Sequence, residues 1–268
     1  MSLVSTHWLN ENLNKVKVID ASWHLVKNRN AIEEYNKEHI ENAIFFDLDK
    51  NSNQRKDLPH GHFLPSVNEH EKSLSEIGIL NTDRIIIYCY SDLISSCRVW
   101  FQFIYFGHDP KLVSVLNGGM KKWKLEGKKV TNLKTKIISS NYKAKENKNM
   151  IKLKSQIEEN IKRKEFTLLD ARSKNRFLGN EPEPRPGIKS GSIEGSKSMP
   201  LSEIVNVKDN TFLDTNKLRD IFNSNEIISN KIVMSCGSSV SAASLALAYS
   251  LINDDYIPKI YIGSWTEF

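Results

Sequence analysis

The sequence predicts an α/β protein built from two tandem domains, each a mainly parallel sheet with helices on both faces. The chain has 268 residues, enough for two domains of ordinary size. Short apolar runs alternate with amphipathic segments, a pattern typical of a parallel sheet covered by helices. The second half also repeats the order of the first, and such repetition indicates two copies of one structural plan.

Matched segments carry this repeat. Each half opens with a buried strand that ends in Asp-Ala, followed by a polar turn and the apolar end of a second strand. An amphipathic helix and a strand that ends on cysteine come next. A last strand then leads into a turn that begins with glycine. The pairs are 16–21 and 166–171, 38–46 and 191–201, 67–77 and 215–222, 84–89 and 231–236, and 112–123 and 259–268.

Composition sets the domain limits. A polar, lysine-rich stretch separates the two copies, as is common for linkers. We predict an N-terminal domain over residues 1–130, a linker over 131–152 and a C-terminal domain over 153–268.

Charge and composition also exclude several classes. The net charge is +6, but much of the excess lies in residues 121–154, whose only aromatics are Trp123 and Tyr142. That pattern predicts a solvated surface rather than a nucleic-acid site, with at most a weak attraction for anionic substrates. No apolar stretch reaches the roughly 20 residues of a membrane span, and the start lacks the pattern of a secretory signal. Three cysteines are too few for a disulfide framework, so we predict a reducing, cytoplasmic location.

The most informative segment surrounds Cys236. A strand is predicted to end at Cys236 and a helix to begin near Ser239, with small residues between them. Ligands gather at the carboxyl ends of parallel strands, and a helix N-terminus there stabilises a thiolate. Cys236 is therefore a candidate nucleophile, with a buried structural cysteine as the alternative.

The tandem repeat and the loop Cys-Gly-Ser-Ser-Val-Ser-Ala at 236–242 resemble the rhodanese superfamily. The loop is most similar to that of the 3-mercaptopyruvate sulfurtransferases, which typically reads Cys-Gly-Ser-Gly-Val-Thr-Ala, whereas thiosulfate-preferring rhodaneses usually carry charges just after the cysteine. Other segments that share the resemblance are 20–25, 45–49, 98–100, 106–109, 117–119, 170–172, 176–179, 181–187 and 263–265. Departures are Ser239 for Gly, Ser241 for Thr, Ser192 for His and Ile262 for Asp. We expect Ser239 and Ser241 to alter rate or donor choice rather than abolish the chemistry.

The resemblance implies a sulfurtransferase that moves the sulfur of 3-mercaptopyruvate through a persulfide on Cys236 to cyanide or a thiol, such as a small thiol or a thioredoxin-like protein. Gly237, Ser239, Val240 and Ser241 would surround the sulfur. Neither a metal nor an organic cofactor is implied. Open alternatives are a thiosulfate sulfurtransferase and a non-catalytic sulfur-carrying or regulatory module. A phosphatase of related fold is disfavoured, because no arginine closes the loop.

The resemblance also assigns side chains around the cysteine. Arg176 and Arg185 would bind the donor carboxylate and ketone, although Arg185 could instead pair with Glu181 or Glu183. Ser238 would form a proton relay with Asp49 and His62, with His60 as a rival for His62. All seven histidines lie at or before residue 108, so a histidine serving Cys236 must come from the first half, and we expect the site between the domains.

The two other cysteines are predicted to be structural. Cys89 corresponds to Cys236 in the repeat, but its loop contains bulky residues and Asp92, and an acid disfavours a thiolate. We therefore expect the first domain to be non-catalytic, with a second reactive thiol at Cys89 as the alternative. Cys97, on the following helix, is expected to serve packing.

Overall fold

The structure, a computed structural model, describes residues 2–25, 28–53, 57–58, 61–225 and 231–268. These residues form two compact units. The first unit holds the chain up to Asn51 with Leu64–Asn147 and Val207–Thr211, and the second holds Ser52–Phe63, Lys148–Asn206 and Phe212–Phe268.

The first unit is built on a five-stranded parallel sheet. Its strand order is β1-β5-β4-β2-β3, and each neighbouring pair is parallel. The strands are β1 (Leu3–Val4), β2 (Lys17–Asp20), β3 (Ala43–Phe45), β4 (Ile85–Tyr88) and β5 (Val113–Leu116). The helices are α1 (Thr6–Asn12), α2 (Ala31–Lys37), α3 (Val67–Glu76), α4 (Ser96–Tyr105) and α5 (Gly119–Leu125), with a 3₁₀ turn at Leu13–Lys15.

The second unit repeats this topology. Its main sheet has the order β6-β12-β11-β7-β8, again with all neighbours parallel. The strands of the main sheet are β6 (Ile151–Lys152), β7 (Thr167–Asp170), β8 (Lys197–Ser198), β11 (Ile232–Ser235) and β12 (Ile260–Tyr261), and two further short strands are β9 (Val205–Asn206) and β10 (Thr211–Phe212). The helices are α6 (Lys154–Arg163), α7 (Lys174–Leu178), α8 (Leu201–Ile204), α9 (Thr215–Ser224), α10 (Ala242–Ser250) and α11 (Ser264–Glu267), with a 3₁₀ turn at Lys148–Met150.

Local sequence explains these elements. The central strands β4 and β11 are buried over their whole length, as continuous apolar runs in parallel sheets require. Helix α3 begins in a capping box, in which Ser66 and Glu69 satisfy each other's backbone N–H groups. The two-domain α/β prediction is therefore confirmed, and strands β2, β4, β7 and β11 are each one residue shorter at both ends than predicted.

Two predicted features differ from the structure. Residues 199–201 were expected to finish a strand, but β8 ends at Ser198 and Leu201 begins α8 after Pro200, which has no N–H to continue a ladder. The segment predicted as a linker, 131–152, follows the first unit as far as Asn147: Thr131 pairs with His39, and Asn147 N–H donates to the Tyr105 carbonyl. Among the described residues, no helix has the length and apolar character needed to cross a membrane.

Candidate active site

The site is built where the central strand of the second sheet ends. Strand β11 lies between β12 and β7 and places Cys236 directly after its last residue, with Cys236 only 2% exposed. Helix α10 begins at Ala242 rather than near Ser239 as predicted, so the loop 236–241 is longer than expected. Residues 242–249 are all buried, which fixes the helix and the loop that precedes it.

One hydroxyl organises this loop. The Ser264 oxygen accepts the N–H of Cys236 at 3.3 Å and the N–H of Ser239 at 3.0 Å, and its own hydrogen is donated to the Tyr261 carbonyl at 3.0 Å. Two acceptances and one donation use the full capacity of a serine hydroxyl. The backbone on both sides of the cysteine is thereby held by a residue 28 positions later.

The next two residues hold the carbonyl groups. Trp265 N–H donates to the Cys236 carbonyl at 2.9 Å, and Thr266 donates to the Gly237 carbonyl through both its N–H at 3.0 Å and its hydroxyl at 2.7 Å. These bonds draw the carbonyl oxygens, which would repel an anion, towards residues 265 and 266.

The remaining amides of the loop are available to a ligand. The N–H groups of Gly237, Ser238, Val240 and Ser241 donate to no acceptor in the part of the protein that the structure describes. Together with the N-terminus of α10 they form a set of donors suited to an anion on Cys236. This agrees with the main-chain surroundings expected from the sequence.

His62 and Ser238 are brought together as predicted. His62 belongs to the segment 52–63 that packs with the second unit, and its Nδ1 lies 3.1 Å from the Ser238 hydroxyl. Both residues are 3% exposed. The Ser238 oxygen also accepts a hydrogen bond from Arg185 Nη2 at 2.7 Å. The rival His60 lies outside the described residues, and the choice between the two histidines stays a prediction.

Asp49, the third predicted member of the relay, lies in the first unit. Its carboxylate accepts the Trp23 indole N–H at 3.0 Å. Its role in a relay therefore stays a prediction.

Two arginines flank the residue after the cysteine. A Cβ placed on Gly237 would lie 3.2 Å from Arg176 Nη2 and 3.4 Å from Arg185 Nη2. Glycine at this position is therefore what allows both guanidinium groups to approach the loop. Their positive charge beside the cysteine suits a negatively charged substrate.

An ion-pair network that the sequence analysis did not single out supports Arg176. Glu183 accepts from Arg176 at 2.5 Å and 3.1 Å and from Arg172 at 2.8 Å, and its side chain is 2% exposed. Burial alone would raise the pKa of Glu183, but hydrogen bonds and charge from Arg176 and Arg172 outweigh it and hold the pKa below its ordinary value. Glu183 was considered only as a partner for Arg185.

Arg172 anchors the other end of this network. Its guanidinium and backbone N–H donate to the Asp170 carboxylate at 2.7–3.1 Å, and it packs over the Trp265 ring. The sequence signal for Arg172 is its position directly after Asp170-Ala171, because the first half has Ser22 at the corresponding position. Asp170 and Glu183 balance Arg172 and Arg176, so that Arg185 beside Gly237 leaves the group with a net positive charge of one.

Cys89 has quite different surroundings. It is 5% exposed, and its thiol donates to the Ser96 hydroxyl at 3.4 Å. Burial raises the pKa of this thiol, which favours the neutral form. These contacts support the structural interpretation. Cys89, Cys97 and Cys236 are all free cysteines.

Comparison with known proteins shows which class of protein this fold belongs to. The chain superposes on the crystal structure of SseA, a 3-mercaptopyruvate sulfotransferase from Escherichia coli, with a TM-score of 0.87 and 26% identity over 100% of both chains. That protein has the rhodanese fold.

Sequence comparisons identify the family. Residues 5–126 match the Rhodanese-like domain family. The chain is 35% identical, over 99% of its length and 75% of the relative, to the mitochondrial thiosulfate/3-mercaptopyruvate sulfurtransferase 1 of Arabidopsis thaliana. It is 32% identical, over 100% of its length and 91% of the relative, to human 3-mercaptopyruvate sulfurtransferase. The protein belongs to the rhodanese family and is a sulfurtransferase, which confirms the predicted resemblance and enzyme class.

Proposed function

We propose that this sulfurtransferase takes sulfur from 3-mercaptopyruvate as a persulfide on Cys236 and passes it to a thiol or to cyanide. The observation that carries the proposal is the loop 236–241, where a cysteine at a strand end is surrounded by four amides that have no acceptor among the described residues. A sulfur anion bound there would receive several hydrogen bonds at once.

In the first half-reaction, the Cys236 thiolate attacks the sulfur of the donor thiol. A sulfur–sulfur bond forms, the carbon–sulfur bond breaks, and its electron pair leaves with the carbon as pyruvate enolate. The proton of the donor thiol then passes to the enolate carbon, which leaves pyruvate and a Cys236 persulfide anion. Gly237, Ser238, Val240 and Ser241 contribute the N–H groups that stabilise this anion.

The arginines bind the donor. Arg185 and Arg176, which flank Gly237, are placed to hold the carboxylate and the ketone oxygen, and charge at the ketone also stabilises the developing enolate. Glu183 and Arg172 fix Arg176 for this task. The neutral residues Gly237 and Ser238 beside the cysteine favour this ketoacid over thiosulfate.

Ser238 and His62 transfer the proton of the donor thiol. Arg185 donates to the Ser238 oxygen, so the Ser238 hydrogen is free to be given to His62 Nδ1. This pair would move the donor proton between thiol and enolate, and the family resemblance assigns Asp49 to the same relay.

In the second half-reaction, an acceptor thiolate or cyanide attacks the outer sulfur and releases the Cys236 thiolate. A small thiol or a thioredoxin-like protein fits this step. We place the protein in a reducing compartment, the cytoplasm, because all three cysteines are free and the reaction needs thiols on both sides.

The test compares the two donors in wild type and Cys236→Ser, with intact-mass detection of the enzyme. Wild type should gain one sulfur atom in mass, turn over faster per KM with 3-mercaptopyruvate than with thiosulfate, and lose the sulfur to added thiol. Cys236→Ser should do none of these. Transfer by Cys236→Ser would overturn the persulfide route, a higher kcat/KM for thiosulfate would replace the donor, and a persulfide that no acceptor removes would indicate a carrier module.

A further inference from the structure

Ser239 is held in an unfavourable backbone conformation. Its φ is +61°, in the left-handed region that glycine adopts freely and other residues avoid. Its N–H donates to the Ser264 hydroxyl, and Ser264 also has a positive φ, +52°. The strain at Ser239, inside the cysteine loop, persists only where the surrounding contacts compensate for it.

The Ser239 hydroxyl makes such an interaction. It donates to the backbone carbonyl of His62 at 3.3 Å. Ser239 is fully buried, and His62 is 3% exposed. A glycine at position 239 would relieve the backbone but could not make this bond.

His62 is therefore held at two points by consecutive loop residues. Ser239 binds its backbone carbonyl, while the Ser238 hydroxyl lies 3.1 Å from its ring nitrogen Nδ1. The two together fix the direction of the ring relative to the loop 236–241.

We propose that Ser239 is a positioning residue that uses its hydroxyl to lock His62 against the cysteine loop, so that the ring meets Ser238 in the geometry needed for proton transfer. This inference rests on the proposed function and deepens it. Ser239 acts through His62 and touches neither donor nor sulfur with its side chain in this role. The unfavourable φ is the energetic cost of placing a residue with a hydroxyl, rather than glycine, at position 239.

The experiment uses the full chain with Ser239→Gly, which removes the hydroxyl and relieves the backbone. Single-turnover persulfide formation should slow about 3- to 10-fold at saturating 3-mercaptopyruvate, the range for one neutral buried hydrogen bond, with donor KM changed less than about twofold. The Tm should stay equal or rise, since glycine prefers this φ. Ser244→Ala is the matched control, because that hydroxyl is buried on α10 and has no hydrogen-bond partner in the part of the chain that the structure describes.

A double-mutant cycle with His62→Ala distinguishes positioning from a structural role. Ser239→Gly should lower the rate in the wild-type background and add no further loss when His62 is already alanine. A wild-type rate for Ser239→Gly, or an equal loss in both backgrounds, would overturn the proposal. Failure of the proposed function gives a different result, because Cys236→Ser would then retain transfer whatever Ser239→Gly does.

Discussion

Glu183→Gln tests the ion-pair network beneath the arginines. The substitution keeps the shape and one oxygen acceptor but removes the negative charge. It leaves Arg176 without its carboxylate, whereas Arg172 still has Asp170. Glu181→Gln is the matched control, because Glu181 is an exposed acid two residues earlier whose carboxylate accepts long hydrogen bonds of 3.4 Å from Ser173 and Asn175.

The magnitude follows from the burial of the pair. Removing one partner of a buried ion pair costs about 3–5 kcal/mol, and the oxygen retained by glutamine reduces this to about 2–4 kcal/mol. For a chain of this size we expect the Tm to fall by roughly 5–12 °C. The control should change the free energy of unfolding by less than about 0.5 kcal/mol, as exposed pairs do.

The pH dependence gives a sharper test. Because the folded state holds the pKa of Glu183 below its ordinary value of 4.5, the charge stabilises the fold at pH values above 4.5. That contribution is lost as the pH falls through the lowered pKa. The difference between wild type and Glu183→Gln should be largest near neutrality and shrink in the acid range below 4.5.

Urea unfolding followed by tryptophan fluorescence and circular dichroism at several pH values measures this difference. A difference that stayed constant from neutrality into the acid range would refute the charge-based explanation. So would a Glu183→Gln protein as stable as Glu181→Gln at pH 7.

Three further substitutions address the site. Arg185→Ala should raise the donor KM about 10- to 100-fold, the range for lost charged hydrogen bonds, and unchanged steady-state constants would remove Arg185 from the site. Gly237→Ala should raise donor KM by roughly 3- to 10-fold, because its Cβ would lie 3.2 Å from Arg176 Nη2 and displace the arginine; an unaltered KM would contradict this. Cys89→Ser should keep kcat/KM within about twofold and still gain one sulfur by mass, since the buried thiol at position 89 favours its neutral form; loss of a second bound sulfur would instead show that Cys89 is reactive.

The fold was predictable because its evidence is local. Apolar runs such as 84–89 and 231–236 mark the central strands, and their repetition indicates two similar units. The position of Cys236 at the end of a strand was predictable for the same reason, since the strand, the loop of small residues and the helix are adjacent in sequence. Helix α10 begins three residues later than predicted, at Ala242 with Ser241 as its N-cap, because Ser239 interrupts the loop with a left-handed backbone.

The supporting contacts were not predictable, because they join distant residues. Nothing near Ser264 in the sequence shows that its hydroxyl binds the amides of Cys236 and Ser239. The packing of His62 with the second unit likewise depends on tertiary contacts such as the bond from Ser239 to its carbonyl. Nothing in the sequence around Glu183 shows that Arg172 and Arg176 share its carboxylate.

The dependence of the cysteine loop on residues 264–266 has a consequence for biosynthesis. A ribosome makes the chain from its amino end, so Cys236 emerges before the three residues that hold its backbone. Until those residues fold, the backbone groups of Cys236, Gly237 and Ser239 lack these hydrogen-bond partners. The backbone around the cysteine is therefore complete only when the segment 264–266 has reached its place in the fold.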